Sequence, residues 1–369
     1  MYAFKFRIYP TKLQVTTLWK HANLLNWLYN RFLNQKIELY KFEKKSISKF
    51  DLQNQLPALK SEFPDLKEIH SQVIQSVATR LDKTYKSFFS RKYGFPKFRS
   101  CKNFFGIQYN TNGYKFENNQ FITKVYGNIQ IVKHREIIGN IKQVQITSKN
   151  DNWYLSVVTD HNKELTDNQD VIGIDLGITN LVATSNGTII KNKRHSKYFD
   201  KQINSLKSRR DKCKKGSRKF KFYNRKILLL YDVKNRKVND FQHKISKNLT
   251  SNYGTIIIED LDLKKMSESK ITGLNRELRN SQLGNFISKL IYKAFKVLKV
   301  NPFNTSKTCN KCGNIKNIPL SNRVYSCQCG YVLDRDVNAA KNIFCLGQAI
   351  LSRGCSAITL QEALSFRVG

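Results

Sequence analysis

The sequence predicts a multidomain α/β protein, and three observations carry that prediction. Two short apolar runs, VIGIDLG at 171–177 and TIIIED at 255–260, each close on an acid and read as fully buried strands. Before them, residues 104–159 alternate apolar and polar in short runs broken by turn residues, as a small antiparallel barrel or sandwich does. After them, four cysteines come in two close pairs, the spacing of a metal ribbon.

Taken in order, residues 1–9 read as a strand, with Tyr2, Phe4, Phe6 and Ile8 opposed to Lys5 and Arg7. Pro10-Thr11 opens a helix carrying Leu13, Leu18, Leu24, Leu25, Leu28, Phe32 and Leu33 near helical spacing. A second helix is expected from about Asp65 to Ser90, with Val73, Val77, Leu81, Tyr85 and Phe88 forming a core stripe. Arg91 to Lys102, with Gly94 and Pro96 inside, is a basic irregular connection. The runs FFGIQY, FITKVY, NIQIVK, VQITS and WYLSVV then supply the short strands, and a polar segment at Asp160–Asp170 marks a domain boundary. Beyond it come the strand VIGIDLG, ending in a tight turn, the strand LVATS and a hairpin through Asn186-Gly187. Residues 196–250 form one or two long basic helices, TIIIED is the second buried strand, and LGNFISKLIYKAFKVL reads as amphipathic helix. VLDRDVNAAKNIFCL is a turn into a helix capped by Asp336 or its neighbours.

Charge narrows the function. Sixty-five Lys and Arg against 27 Asp and Glu in 369 residues leave a formal net charge of +38. Such a surface repels itself unless a polyanion neutralises it, so nucleic acid is the first partner and an anionic membrane face a distant second. With 40% hydrophobic residues the chain can bury a core, which excludes a disordered basic tail. MYAFKFRIYP lacks the apolar run of a secretory leader, and no stretch approaches the roughly 20 apolar residues of a spanning helix. Cys309, Cys312, Cys327 and Cys329 cluster, whereas Cys101, Cys213, Cys345 and Cys355 are isolated. A disulfide scaffold would pair them throughout a shorter chain, so a cytosolic protein with one metal site is expected.

Three carboxylates make the strongest constellation: Asp175, Glu259 and Asp336, each at the end of a regular element. An acid closing a buried apolar strand is costly unless it is paired or binds a cation. Hard oxygen ligands from three places can hold two magnesium or manganese ions about 3.5–4 Å apart, the arrangement that hydrolyses phosphodiesters. Cys309-x-x-Cys312 and Cys327-x-Cys329 read as a closed four-thiolate site, hence structural zinc. Lys207, Arg209, Arg210, Lys214, Lys215, Arg218, Lys219, Lys221 and Arg225 lie on helical sequence interleaved with Phe220, Phe222 and Tyr223, as a phosphate-tracking surface would. Lys97 and Arg99 in GFPKFR, with Lys5 and Arg7 on the first strand, are weaker candidates of the same kind. His134, His195 and His243 sit alone in basic context and read as nucleic-acid-facing or solvated.

KFRIYPTKLQ, GFPKFR, VIGIDLG, IIIEDLDL, SKLIYKA, TSKTCNKCG and DRDVNAAKNI, in that order, resemble the TnpB (OrfB) proteins of bacterial insertion sequences. Those are RNA-guided nucleases related to type V CRISPR effectors, and the likeness covers essentially the full length. It implies an RNase H-like (RuvC) nuclease core with a zinc ribbon, and a helical recognition lobe inserted in a small β-barrel wedge. The implied boundaries are 1–10 and 104–165 for the wedge and 11–103 for the recognition domain. The nuclease core spans 166–303, the ribbon 304–332, and the core end with its tail 333–369. The family triad falls on Asp175, Glu259 and Asp336, the last chosen over Asp334 because it lies two residues before Asn338-Ala339-Ala340. The zinc ligands fall on Cys309, Cys312, Cys327 and Cys329. Two departures carry expectations of their own: a loosened or tilted second knuckle, and a truncated core strand before the ribbon.

The resemblance further implies a guide RNA from the transposon end, a double-stranded DNA target and magnesium-dependent cleavage beside a short flanking motif. A bacterial or archaeal, nucleoid-associated location in the cytoplasm goes with it. No His-hydrophobe-His motif with a nucleophilic Tyr is present, so strand transfer would come from a transposase encoded by the same element. VIGIDLGITN also resembles the phosphate loop of actin-like and DnaK-type ATPases, but no second glycine-rich loop follows and those proteins are not this basic. The competing reading is a nuclease-inactive RNA-guided repressor or transposition accessory protein, which should have lost an acid; this chain keeps all three.

Overall fold

The structure is a computed structural model that describes residues 2–91, 93–161, 168–193, 195–268, 272–319 and 322–353. Cys355, the side chain of His195 and most of the expected C-terminal tail lie outside the described residues. The chain divides into two compact units, Met1–Lys163 and Glu164–Gly369.

In the first unit, β1 (Tyr2–Tyr9) leads into α1 (Lys12–Glu43), which starts on a capping box between Thr11 and Gln14. Gln14 also donates to the carbonyls of Tyr126 and Asn128, each at 2.8 Å, and so pins the helix to the later sheet. Short helices α2 (Lys49–Asn54) and α3 (Leu56–Glu62) follow, then α4 (Ser71–Phe89). The helix expected from Asp65 begins later, because Pro64–Glu68 is a 3₁₀ turn, Ile69 is extended and the His70 ring accepts from Gln72 N to cap α4. Six more strands complete the unit: β2 (Ile107–Tyr109), β3 (Lys115–Glu117), β4 (Gln120–Thr123), β5 (Gly127–Val132), β6 (Ile141–Lys149) and β7 (Asn152–Thr159). They form one antiparallel seven-stranded sheet in the order β2-β6-β7-β1-β5-β4-β3, with the first strand of the chain at its centre. Phe4, Phe6 and Ile8 of β1 face the buried side beside Leu25, Phe32 and Val77 of the helices, while Lys5 and Arg7 face the other way.

The second unit is built on five strands: β8 (Val171–Asp175), β9 (Asn180–Thr184), β10 (Ile189–Lys191), β11 (Thr255–Glu259) and β12 (Lys296–Val300). Their order is β10-β9-β8-β11-β12; the first three are antiparallel, whereas β8, β11 and β12 run parallel. The β9–β10 hairpin turns through Gly187 at φ +93°, which explains the Asn-Gly pair. Between β10 and β11 lie α5 (His195–Asp211) and α6 (Arg218–Asn252). After β11 come α7 (Leu263–Ser267), α8 (Thr272–Ser281) and α9 (Leu283–Lys293). The chain ends in β13 (Val324–Ser326), β14 (Val332–Asp334) and α10 (Arg335–Arg353). Leu249, Phe286 and Leu290 cover Ile172, Ile174, Ile256 and Ile258 on one face, and Ile343 and Leu346 of α10 cover Ile257 on the other. Burial on both faces is why the two strands read as unbroken apolar runs.

The expected single helix over LGNFISKLIYKAFKVL is corrected here. It stops at Lys293, Ala294 is extended, and KVLKV becomes β12, paired residue for residue with β11 from Thr255↔Lys296 to Glu259↔Val300. The core strand is therefore complete rather than truncated. With Lys296 and Lys299 three apart, its five residues continue the helical spacing of α9 and carry no alternation of their own, so only the pairing with β11 makes them a strand.

Candidate active site and metal centre

β8 and β11 are parallel and in register, with Ile174 opposite Ile258. The next residues, Asp175 and Glu259, therefore leave neighbouring strands together and share one face, on strands about 4.8 Å apart. That is the face α10 covers. A Cβ on Gly173 would lie 2.5 Å from the Ala340 carbonyl oxygen and 2.6 Å from Phe344 N, so only glycine allows the helix this close. Asp336, Ala340 and Phe344 recur every four residues on one stripe of α10. The stripe that lies on β8 thus carries Asp336 at its leading end, over the acidic ends of the strands.

Two acids compete for that role in the sequence, and the geometry separates them. Asp334 Oδ1 accepts from the backbone N–H of Asp336 at 2.9 Å and of Val337 at 3.2 Å, which makes it the helix cap. Asp336 instead accepts from Asn180 Nδ2 at 2.8 Å, and Arg323 Nη1 stands 3.6 Å from the same oxygen. Glu259 accepts from the buried hydroxyl of Thr305. Burial, then the charges of Glu259 and Asp336, push the Asp175 carboxyl well above the usual carboxylate range. Burial raises Glu259 as well, opposed by the Thr305 hydroxyl. A site that resists ionisation for lack of positive charge is one that a divalent cation would relieve.

The cysteines are drawn together more tightly. Cys309, Cys312, Cys327 and Cys329 place all their sulfurs within 4.8 Å of one another, and among the described residues no other set of potential ligands does so. The oxygens of the three carboxylates do not all fall within that distance of one another. The Cys309–Cys329 and Cys312–Cys327 sulfur separations are 3.8 and 3.5 Å. A tetrahedral zinc with bonds of about 2.3 Å has edges of roughly 3.8 Å, so the residues fit the metal. The short second knuckle is not splayed: Gly330 N–H closes a turn on the Cys327 carbonyl three residues back, as Gly313 N–H does on the Cys309 carbonyl four residues back. Backbone N–H donation from Cys329, above all, lowers the Cys327 thiol to about 7, whereas burial raises Cys309 to about 12.

The predicted basic residues meet several fates. Arg209, Lys214, Lys215, Arg218, Lys219, Lys221 and Arg225 are exposed on α5, α6 and the turn between them. Lys207 lies over the Tyr231 ring at 5.5 Å, and Arg210 over Phe220 at 5.7 Å while bonded to Asp211. Lys5 and Arg7 both lie over Tyr154, at 4.2 and 5.2 Å. Lys97 is exposed. Arg99 stacks on Tyr29 and Phe105 and exchanges backbone hydrogen bonds with Asn30, so it also braces its own loop.

Sequence reasoning missed the residues that join ribbon to core. Asn338 Nδ2 donates to Thr308 O, Asn342 Nδ2 to Thr305 O and Thr308 O, and Asn310 Nδ2 to Asn342 Oδ1. The available signal was two asparagines four apart, Asn338 and Asn342, inside an otherwise apolar helix stripe.

Three family models match successive parts of the chain. The OrfB_IS605 "Helix-turn-helix domain" matches residues 1–45, the OrfB_IS605 "Probable transposase" 154–270, and the "Cas12f1-like, TNB domain" 284–343. Residues 12–43 of the first form one unbroken helix. "Putative RNA-guided DNA endonuclease InsQ" of Escherichia coli (strain K12) is 27% identical over 377 residues, covering 95% of this chain and 94% of that one. A "Putative RNA-guided DNA endonuclease" of Streptomyces pristinaespiralis is 28% identical over 368 residues, covering 95% and 90%. The fold is similar to that of Cas12f1 in its complex with sgRNA and target DNA, with TM-score 0.60 at 17% identity over 89% of this chain and 82% of that one. It is similar also to the mini-RNA-guided endonuclease Cas_phi3, with TM-score 0.51 at 10% identity over 93% and 91%. In sequence the chain is thus similar to the OrfB_IS605 proteins of insertion sequences over 1–45 and 154–270, and to both endonuclease relatives over nearly its whole length.

Proposed function

We propose that this protein is an RNA-guided, magnesium-dependent DNA endonuclease whose second unit is a RuvC-type, RNase H-like core. The observation that carries the reading is the convergence of Asp175, Glu259 and Asp336 through strand register and one helix stripe. Asp175, Glu259 and Asp336 would hold two magnesium or manganese ions, which when bound supply an activated water and stabilise the leaving oxygen of a phosphodiester. Thr305 keeps the Glu259 carboxylate oriented, and Asn180 does the same for Asp336. Arg323, close to Asp336, offers its remaining guanidinium donors to a substrate phosphate. The four cysteines hold a structural zinc that anchors Thr305, four residues before the first pair, and Arg323, four residues before the second.

The exposed cations of α5 and α6, with Lys5, Arg7 and Lys97, hold a guide RNA transcribed from the transposon end. Base pairing selects the double-stranded target, and the protein reads only a short flanking motif. Strand transfer falls to a transposase of the same element. The test is cleavage: the RNA that copurifies is sequenced, and matching DNA is offered with magnesium. Wild-type protein should cut it and Asp175→Ala should not. Equal cutting by both would remove the assignment, and binding without cutting by wild type would leave a repressor.

A further inference from the structure

A second cluster in the nuclease unit is untouched by that chemistry. A cleft of about 480 Å³ opens between α5, α6 and α8. Lys207, Lys234, Arg276 and Arg279 line it, and Asp200 is the one carboxylate lining it among the described residues. Lys234 is only 4% exposed and donates to Asp200 Oδ1 at 2.9 Å and Asn280 Oδ1 at 2.8 Å. The other Asp200 oxygen is taken by Arg276 at 3.3 Å and Asn280 Nδ2 at 3.2 Å. Asp200 is therefore saturated and offsets one of four cations. Three positive charges converge on a cleft of ligand size, where like charges repel unless an anion enters. A merely solvated basic face would not bury one ammonium and lock it in place.

Amides complete the wall. Asn204 and Asn275 also line the cleft, and an amide both donates and accepts, which suits a ribose 2′-hydroxyl. We propose that this cleft seats a phosphate and ribose of the RNA strand. The proposal rests on the reading of the chain as an RNA carrier and names where part of that RNA is gripped.

The test uses full-length protein stripped of RNA, with the copurifying RNA relabelled as probe and binding followed by anisotropy at several salt concentrations. Lys207→Gln with Arg279→Gln removes two cations and keeps the buried Lys234–Asp200 pair. Lys264→Gln with Lys265→Gln, on α7, removes the same charge elsewhere. The cleft variant should bind RNA at least fivefold more weakly at 150 mM salt and flatten the log–log salt slope by about 0.7 for each phosphate it no longer neutralises. The control should stay within twofold, and DNA of the same sequence should be less affected. If the two variants behave alike while wild type binds RNA and cuts, the cleft assignment fails and the nuclease reading stands. An equal effect on DNA, or displacement of the RNA by adenosine monophosphate at low millimolar concentration, overturns the assignment to an RNA strand. If wild type binds no RNA, both readings fall.

Discussion

Asn342 on α10 donates to the Thr305 carbonyl at 2.8 Å, and the Thr305 hydroxyl donates to Glu259. The backbone of the cysteine ribbon thereby reaches the acidic end of β11 through one helix residue. Asn342 is wholly buried, so its partners have no access to water in its absence.

Asn342→Leu leaves the buried Thr305 carbonyl without this donor and the Asn310 amide without its oxygen acceptor, while Thr308 O keeps Asn338. Each unsatisfied group costs about 1–3 kcal/mol, so a loss of about 2–4 kcal/mol is expected in chemical denaturation of the second unit. Zinc content should fall with it if the ribbon base loosens.

Gly173→Ala forces a Cβ to within 2.5 Å of Ala340 O, a backbone atom that cannot swing aside. Overpacking of this kind costs about 1–3 kcal/mol. Because the shift moves α10, metal binding at the acidic end should weaken more than the stability loss alone explains. Calorimetric titration with manganese would show it.

The pH dependence has a definite sign. Asp175 and Glu259 both have folded pKa values above their unfolded ones, so the folded state binds more protons. Without divalent metal, the contribution of these two carboxyls to the stability of the second unit should be greatest below about pH 4, where an unfolded carboxyl is still protonated; Asp200, held below its usual range by Lys234, contributes with the opposite sign. The contribution of Asp175 and Glu259 should decline as pH rises through the raised folded values. Asp175→Asn should flatten that decline and raise the unfolding midpoint at pH 7.5 in chelator. An Asp175→Asn midpoint at or below that of wild type at pH 7.5 in chelator would contradict the assignment.

The cysteines should differ sharply once zinc is removed. Cys327, lowered to about 7, is substantially thiolate at neutral pH, while Cys309, at about 12 and fully buried, is not. Iodoacetamide followed by peptide mapping should label Cys327 first and Cys309 last, and saturating zinc should protect all four.

Much of this was legible in residue types. Burial on both sides of β8 and β11 leaves continuous apolar runs, so the terminal acids stood out, and the spacing of the paired cysteines marked them as a cluster able to hold a metal. What escaped was set by partners distant in sequence. KVLKV looked helical because α9 precedes it; pairing with β11 makes it a strand. Asp334 and Asp336 are the same residue type two positions apart, and only helix geometry separates a cap from an acid facing the sheet end. Thr305, Asn310, Asn338 and Asn342 acquire meaning only when the ribbon folds back on α10. The saturated ion cluster around Asp200 joins three helices and has no linear pattern at all.

The most direct measurement is anomalous diffraction at the manganese edge from crystals soaked in manganese chloride. Two peaks about 3.5–4 Å apart, bounded by the carboxylates of Asp175, Glu259 and Asp336, are predicted, with both lost in Asp175→Asn. Manganese absent from that place in well-ordered wild-type crystals would contradict the account.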